Sequence, residues 1–126
     1  MPIVIGNEAK RNDKDDTEYV LIDDEEMNRS SWKLTGKIRG KKVTTFDTAD
    51  KFFLTMKDLD KAVKIYIDSN LSDGIKGEHI AKIIYNKGFK NIYLCTGDAP
   101  SDFPVMPWIK EIVGKTPPFF DNELSM

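Results

Sequence analysis

The sequence predicts an α/β domain built on a doubly wound, five-stranded parallel sheet. Two observations carry this. Five short β-favouring runs recur along the chain, each passing directly into polar or charged residues, and most are separated by segments with apolar residues at helical spacing. Strands that alternate with helices form β-α-β units with right-handed crossovers, which cover both faces of a parallel sheet. A chain of 126 residues is expected to hold one such domain with one core.

The elements follow in order. Residues 1–18 are charge-dense after a short apolar start and read as a flexible lead-in, so the domain is placed at 19–118 with a short tail at 119–126. Tyr19 to Ile22 (YVLI) is the first strand, ending in four acids, Asp23 to Glu26. Met27 to Ile38 is the first helix, with Met27, Trp32, Leu34 and Ile38 as a rough apolar stripe and Gly40 to stop it. Lys42 to Phe46 is the second strand. Asp47 or Thr48 then caps a helix carrying Phe52, Phe53 and Met56. Val63 to Ile67 is the third strand, ending at Asp68, and the third helix runs from about Gly77 to Asn86 with Ile80, Ile83 and Ile84, stopped by Gly88. Asn91 to Cys95 is the fourth strand, followed by Thr96 and Gly97. Three prolines in the next stretch permit about one helical turn, placed near Pro107 to Glu111, before a short fifth strand at Ile112 and Val113 that leads to Lys115. Only eight residues follow Pro118, too few for a full final helix.

Composition excludes several functions. Hydrophobic residues make up 40% and charged residues 32%, enough for a core beneath a well-solvated surface. A net charge of −2 supplies no basic field for a phosphate backbone, so nucleic acid is not expected as a direct partner. The single cysteine, Cys95, forms no internal disulfide or zinc cluster and fits a cytoplasmic location; it reads as a buried strand residue. The apolar run Pro2 to Ile5 is too short for a signal-peptide core or a membrane span, and no membrane association is expected.

In open parallel sheets, ligands bind beyond the carboxyl ends of the strands. That rule gathers Asp23 and Asp24, Asp68, Thr96 and Lys115, which follow four different strands, onto one edge. Three carboxylates placed together repel one another and call for a cation, and a hard divalent ion with oxygen ligands is the natural one. A carboxylate beside such an ion can act as a nucleophile towards phosphorus, with Thr96 and Lys115 offering a hydroxyl and a positive charge to the product oxygens.

These residues resemble the receiver domains of two-component response regulators. The acidic pair stands in VLIDDEEMN, the acceptor loop in IYIDSNLSDGIKG, the hydroxyl in YLCTG and the lysine in VGK, and the resemblance spans roughly Tyr19 to Pro118. It implies a flavodoxin-like sheet in the order 2-1-3-4-5, and phosphorylation of Asp68 by a histidine kinase or phosphotransfer protein. It also implies Mg2+ (or Mn2+) held by Asp23, Asp24, Asp68 and Asn70, with the carbonyl of Asn70 as its ligand atom. Asn70 and Asp98 fall at positions that tune dephosphorylation, and Gly74 and Gly77 shape the loop. A receiver of this kind is not an enzyme beyond its own phosphorylation and dephosphorylation.

The sequence departs from the family at several points. Ser72 stands where many members have proline, and Thr116 separates Lys115 from the following prolines. Ile112 replaces the aromatic residue usual in the fifth strand, the fourth helix is much shortened and the fifth is missing. Output is therefore expected through the loop between Pro100 and Trp108, which, with the exposed sheet edge, is the expected docking surface for a partner.

Other readings stay open. The acidic pair also suits a helix N-terminus, and Asp68, Asn70 and Asp73 also suit turn chemistry. Thr96 also reads as a strand-end residue and Lys115 as a surface one. His79 is expected on an exposed helix face. Trp108, Phe119 and Phe120 either cover sheet left bare by the missing helix or form a docking surface. The alternative function is a degenerate receiver that binds a protein without phosphorylation. A phosphohydrolase ranks last, since Asn70 stands where its second acid belongs.

Overall fold

A computed structural model describes residues 15–119. The first fourteen residues of the expected lead-in, and Phe120 with the rest of the tail, lie outside the described residues.

Four-residue apolar runs can be buried on both faces of a parallel sheet, and β1 (Tyr19–Ile22) is buried at every position. It pairs in parallel with β2 (Val43–Phe46) on one side and β3 (Lys64–Asp68) on the other. Beyond β3 come β4 (Ile92–Cys95) and β5 (Glu111–Val113), completing the order β2-β1-β3-β4-β5. The sheet is thus the expected flavodoxin-like one. Its switch point lies between β1 and β3, where the chain turns from building one half to building the other.

Three helices connect the strands: α1 (Glu26–Arg39), α2 (Ala49–Thr55) and α3 (Gly77–Asn86). Two of them stop at a glycine. Gly40 takes the left-handed φ of 73° that ends α1, and Gly88, at φ 108°, follows α3. Of the two candidate caps, Thr48 is the one used, its hydroxyl accepting from the Lys51 N–H. One core contains Phe46, Phe52, Leu59, Ile84, Phe89 and Ile92 with the inward residues of β1 and β3. On the other face, Trp32 packs with Tyr19, Tyr66 and Phe119. Phe119 is 1% exposed, which places it in the structural role proposed for it, and Thr17 is buried as well. His79 is exposed and Cys95 buried, as expected.

Two expectations are corrected. Of the expected apolar stripe of α1 only Trp32 faces the core: Met27, Leu34 and Ile38 are 84%, 61% and 69% exposed. The helix instead presents Trp32 and Gly36, one turn apart, because the missing side chain of Gly36 lets it settle against Val43. At about 100° per residue, the exposed three lie roughly 120–160° around the helix from Trp32. The helical turn after β4 also falls elsewhere, at Pro100–Asp102 and not near Pro107 to Glu111. The Lys110 N–H bonds Ile92 O at 2.7 Å, which draws the chain into the sheet at that point and makes Glu111 a strand residue. Ile83, placed with the apolar residues of α3, is 45% exposed, while Ile84 carries the burial. Among the described residues no helix is long and apolar enough to cross a membrane.

Candidate functional site

Register brings the strand ends to one edge. Ile22 pairs with Ile67 and Asp68 with Cys95, so Asp23, Asp68 and Thr96 leave the sheet side by side. Carboxylate oxygens of Asp23, Asp24 and Asp68 lie within 4.8 Å of one another. Asp23, Asp68 and Thr96 are 2%, 3% and 4% exposed, and Asp24 is half-buried. Lys115, reaching in from the loop after β5, places Nζ 3.2 Å from Asp68 Oδ1. The five residues expected at the edge are therefore all at strand ends there.

Each carboxylate is held differently. Asp23 Oδ1 accepts from the Glu25 N–H at 2.9 Å and Oδ2 from the Asn28 amide at 3.0 Å, while Arg29 donates to the Asp23 carbonyl at 3.0 Å. Asp24 Oδ2 accepts from the Ser72 hydroxyl at 2.7 Å. Asp68 Oδ1 receives both Lys115 and, at 3.4 Å, the Asn70 N–H. No hydrogen bond from the described residues reaches Asp68 Oδ2.

The loop after β3 is shaped by two glycines for two reasons. Gly74 has φ 72°, next to Asp73 at φ 63°, which turns the chain. Gly77 allows contact: a Cβ there would lie 2.1 Å from Asp68 O, so only glycine brings the start of α3 onto the end of β3. Asn70 is exposed and pairs with Lys76 in an antiparallel bridge. The flanking bonds, Leu71 N–H to Ile75 O and Gly77 N–H to Ser69 O, do not use the carbonyl of Asn70. Asp98 is exposed, and its carboxylate lies outside the acidic cluster. Its N–H donates to Thr96 Oγ1 at 3.0 Å, tying it to the site through that hydroxyl.

The electrostatics follow from burial. Desolvation pushes the Asp23 carboxyl above its usual range; Asp68 adds to this, and the Glu25 N–H, Asn28 and Lys115 oppose it. Partial burial works against the charge on Lys115, yet the charge and hydrogen bond of Asp68, with help from Asp23 and Glu25, hold it above the ordinary lysine value. Burial, then Asp68 and Asp23, push the Cys95 thiol up to about 12. Lys115 offsets one of three clustered negative charges, and the donors are all hard oxygens. This set fits a divalent cation such as Mg2+.

Asn28, Arg29 and Ser72 as supporting groups were missed in the sequence. Asn28 and Arg29 carried a signal, since the first turn of a helix after a strand lies over that strand's end. Ser72 carried none, because its partner is 48 positions away.

Sheet order, crossovers and the acidic edge together define the fold of a response-regulator receiver domain, and the chain has that fold. It is similar to the response regulator protein TrrA from Thermotoga maritima in complex with Mg2+–BeF, at TM-score 0.67 and 20% identity over 86% of this chain and 95% of that one. A response regulator receiver domain protein from Clostridium thermocellum is similar at TM-score 0.66 and 18% identity, over 86% and 90% of the two chains. A receiver protein from Pseudomonas putida gives 0.65 and 18%, over 85% and 93%. No family model matches the sequence, and no curated protein does.

Proposed function

We propose that this chain is a phosphoacceptor receiver in a phosphorelay: Asp68 takes a phosphoryl group from a phosphohistidine on a histidine kinase or phosphotransfer protein. The observation that carries this is the meeting of three carboxylates within 4.8 Å, one of them held by Lys115 at 3.2 Å, at the carboxyl edge of the sheet. Asp23, Asp24, Asp68 and the Asn70 carbonyl would hold Mg2+ (or Mn2+), which when bound withdraws charge from the phosphoryl oxygens.

The residues divide the work. Lys115 and the Asn70 N–H both address Asp68 Oδ1, which leaves Oδ2 with lone pairs free to attack phosphorus. The new P–O bond forms as the donor's P–N bond breaks, and the imidazole nitrogen keeps the electron pair. Lys115 then balances the added charge. Thr96 accepts from the Asp98 N–H, so its own proton is left to donate to a phosphoryl oxygen. Asn70 and Asp98 flank this position and tune the lifetime of the acyl phosphate. Turnover is limited to the chain's own phosphorylation and dephosphorylation, in the cytoplasm, with no nucleic-acid or membrane partner.

The second reading, a phosphorylation-independent binding module, is favoured by one observation: the described residues after β4 form no full helix, and the 100–108 loop carries a fully exposed Val105 beside half-buried Phe103 and Trp108. One titration separates the two. Mg2+ and beryllium fluoride, followed by tryptophan fluorescence, are expected to give a saturable change in the wild type that Asp68→Asn abolishes. Absence of any Asp68-dependent response would leave the binding-module reading.

A further inference from the structure

We propose that Ser72 is a positioning residue for the divalent cation: its hydroxyl holds Asp24 in the orientation that ligation requires. The proposal rests on the phosphoacceptor reading and deepens it.

The three carboxylates differ in how they are oriented. Both oxygens of Asp23 are fixed by donors from its own strand-to-helix junction, Glu25 and Asn28. Asp68 is fixed through Oδ1 by Lys115 and by the amide of its own loop. Asp24 has neither arrangement. It is the most exposed of the three, and the hydrogen bond that addresses its carboxylate comes from Ser72, across the site, at 2.7 Å. A carboxylate left to rotate in solvent must give up that freedom when it ligates an ion, so a donor that fixes it beforehand raises affinity.

Ser72 is suited to the task because its backbone is stapled on both sides. It opens the turn Ser72–Gly74, closed by the Ile75 N–H on Ser72 O at 3.3 Å. That turn sits inside the Asn70–Lys76 bridge, and Leu71 N–H bonds Ile75 O at 3.0 Å. The hydroxyl is therefore presented from the same rigid loop that carries Asp68 and Asn70. It occupies Asp24 Oδ2 and leaves Oδ1 for the ion. The bond is solvent-exposed, where such a contact adds little to folding stability. Its consequence is expected in metal affinity, not in the stability of the metal-free protein.

Isothermal titration calorimetry with MgCl2 on the wild type, Ser72→Ala and Ser72→Thr, together with melting temperatures without the metal, tests this. Ser72→Ala is expected to weaken Mg2+ binding about tenfold, the lower end of what loss of a ligand-orienting group costs. Its metal-free melting temperature stays at the wild-type value, and Ser72→Thr, which keeps the hydroxyl, restores the affinity. Wild-type affinity in Ser72→Ala overturns the proposal and leaves the phosphoacceptor reading standing. A loss that comes with a lower melting temperature and is not restored by threonine overturns it too. A wild-type protein that takes up no Mg2+ overturns the phosphoacceptor reading itself, and the proposal with it.

Discussion

Cys95 lies beside the acidic cluster without belonging to it, and its chemistry is set by that position. The side chain is 2% exposed in β4, paired in register with Asp68, and its thiol is pushed from an ordinary value near 9.0 up to about 12. Well below pH 9 the thiol is protonated in both the folded and the unfolded chain, and it contributes no pH dependence. Between about 9 and about 12 the unfolded chain loses the proton while the folded chain keeps it. The unfolded state then binds fewer protons, so stability falls as pH rises through this window, by up to about 1.4 kcal/mol per pH unit. Urea unfolding of wild type and Cys95→Ala at several pH values is expected to show the steeper alkaline loss in the wild type. Equal slopes would mean that the thiol is not held neutral. Tyr66, raised chiefly by burial and only secondarily by Cys95, contributes to both variants, so the difference between them reports mainly on the thiol.

At the scale of the element, α1 is held by a large and a small residue one turn apart. A Cβ on Gly36 would lie 2.5 Å from Val43 Cγ2, and a β-branched side chain has little freedom to turn away. Gly36→Ala therefore gains about 1 kcal/mol of helix propensity but loses about 1–3 kcal/mol to overpacking, and net destabilisation is expected in chemical unfolding. Gly36→Ala combined with Val43→Ala is expected to be less damaging than the sum of the two changes, because the second makes room for the first. Additive losses would show that the contact is not the cause. This element also marks the limit of what the sequence discloses. Its ends were legible, since the acids before it and Gly40 after it act locally. Its buried face was legible only at Trp32. Met27, Leu34 and Ile38 stood in the same expected stripe, and the turning of Trp32 and Gly36 alone to the core depends on Val43, on a different strand. The site divides in the same way. Asp23, Asp68, Thr96 and Lys115 were legible because strand ends share an edge, whereas the Ser72 contact with Asp24 depends on how one loop folds back over another strand. The turn after β4 was misplaced because three prolines mark where helix fails, not which turn survives.

For the whole molecule, the question is how the proposed change at Asp68 reaches a surface that a partner can read when the described residues after β4 form no full helix. The contacts supply a route through α3. Its first residue, Gly77, donates to Ser69 O at 2.9 Å and packs against Asp68 O. Its second, Glu78, accepts at its carbonyl from Trp108 Nε1 at 2.9 Å, and Lys82, one turn on, lies over the Trp108 ring at 4.9 Å. The loop's own end is thus fastened to the helical turn that abuts Asp68. A second contact runs from Trp32 Nε1 to the Lys115 carbonyl, but at 3.4 Å it is the weaker link and leads into a buried aromatic cluster. The 100–108 loop is therefore the expected reporter. It also borders a cavity of about 480 Å³ lined by Phe103, Val105, Met106, Ile109 and Ile112, so a shift of the loop reshapes an apolar surface. Hydrogen exchange of the loop amides is expected to change when Mg2+ and beryllium fluoride are added to the wild type. Trp108→Phe keeps an aromatic ring but removes the donor to Glu78, and in this variant the ligand is expected to bind while the loop response shrinks. A wild-type loop whose exchange is indifferent to the phosphate mimic would sink this route, and a full response in Trp108→Phe would move the coupling away from the Glu78 contact.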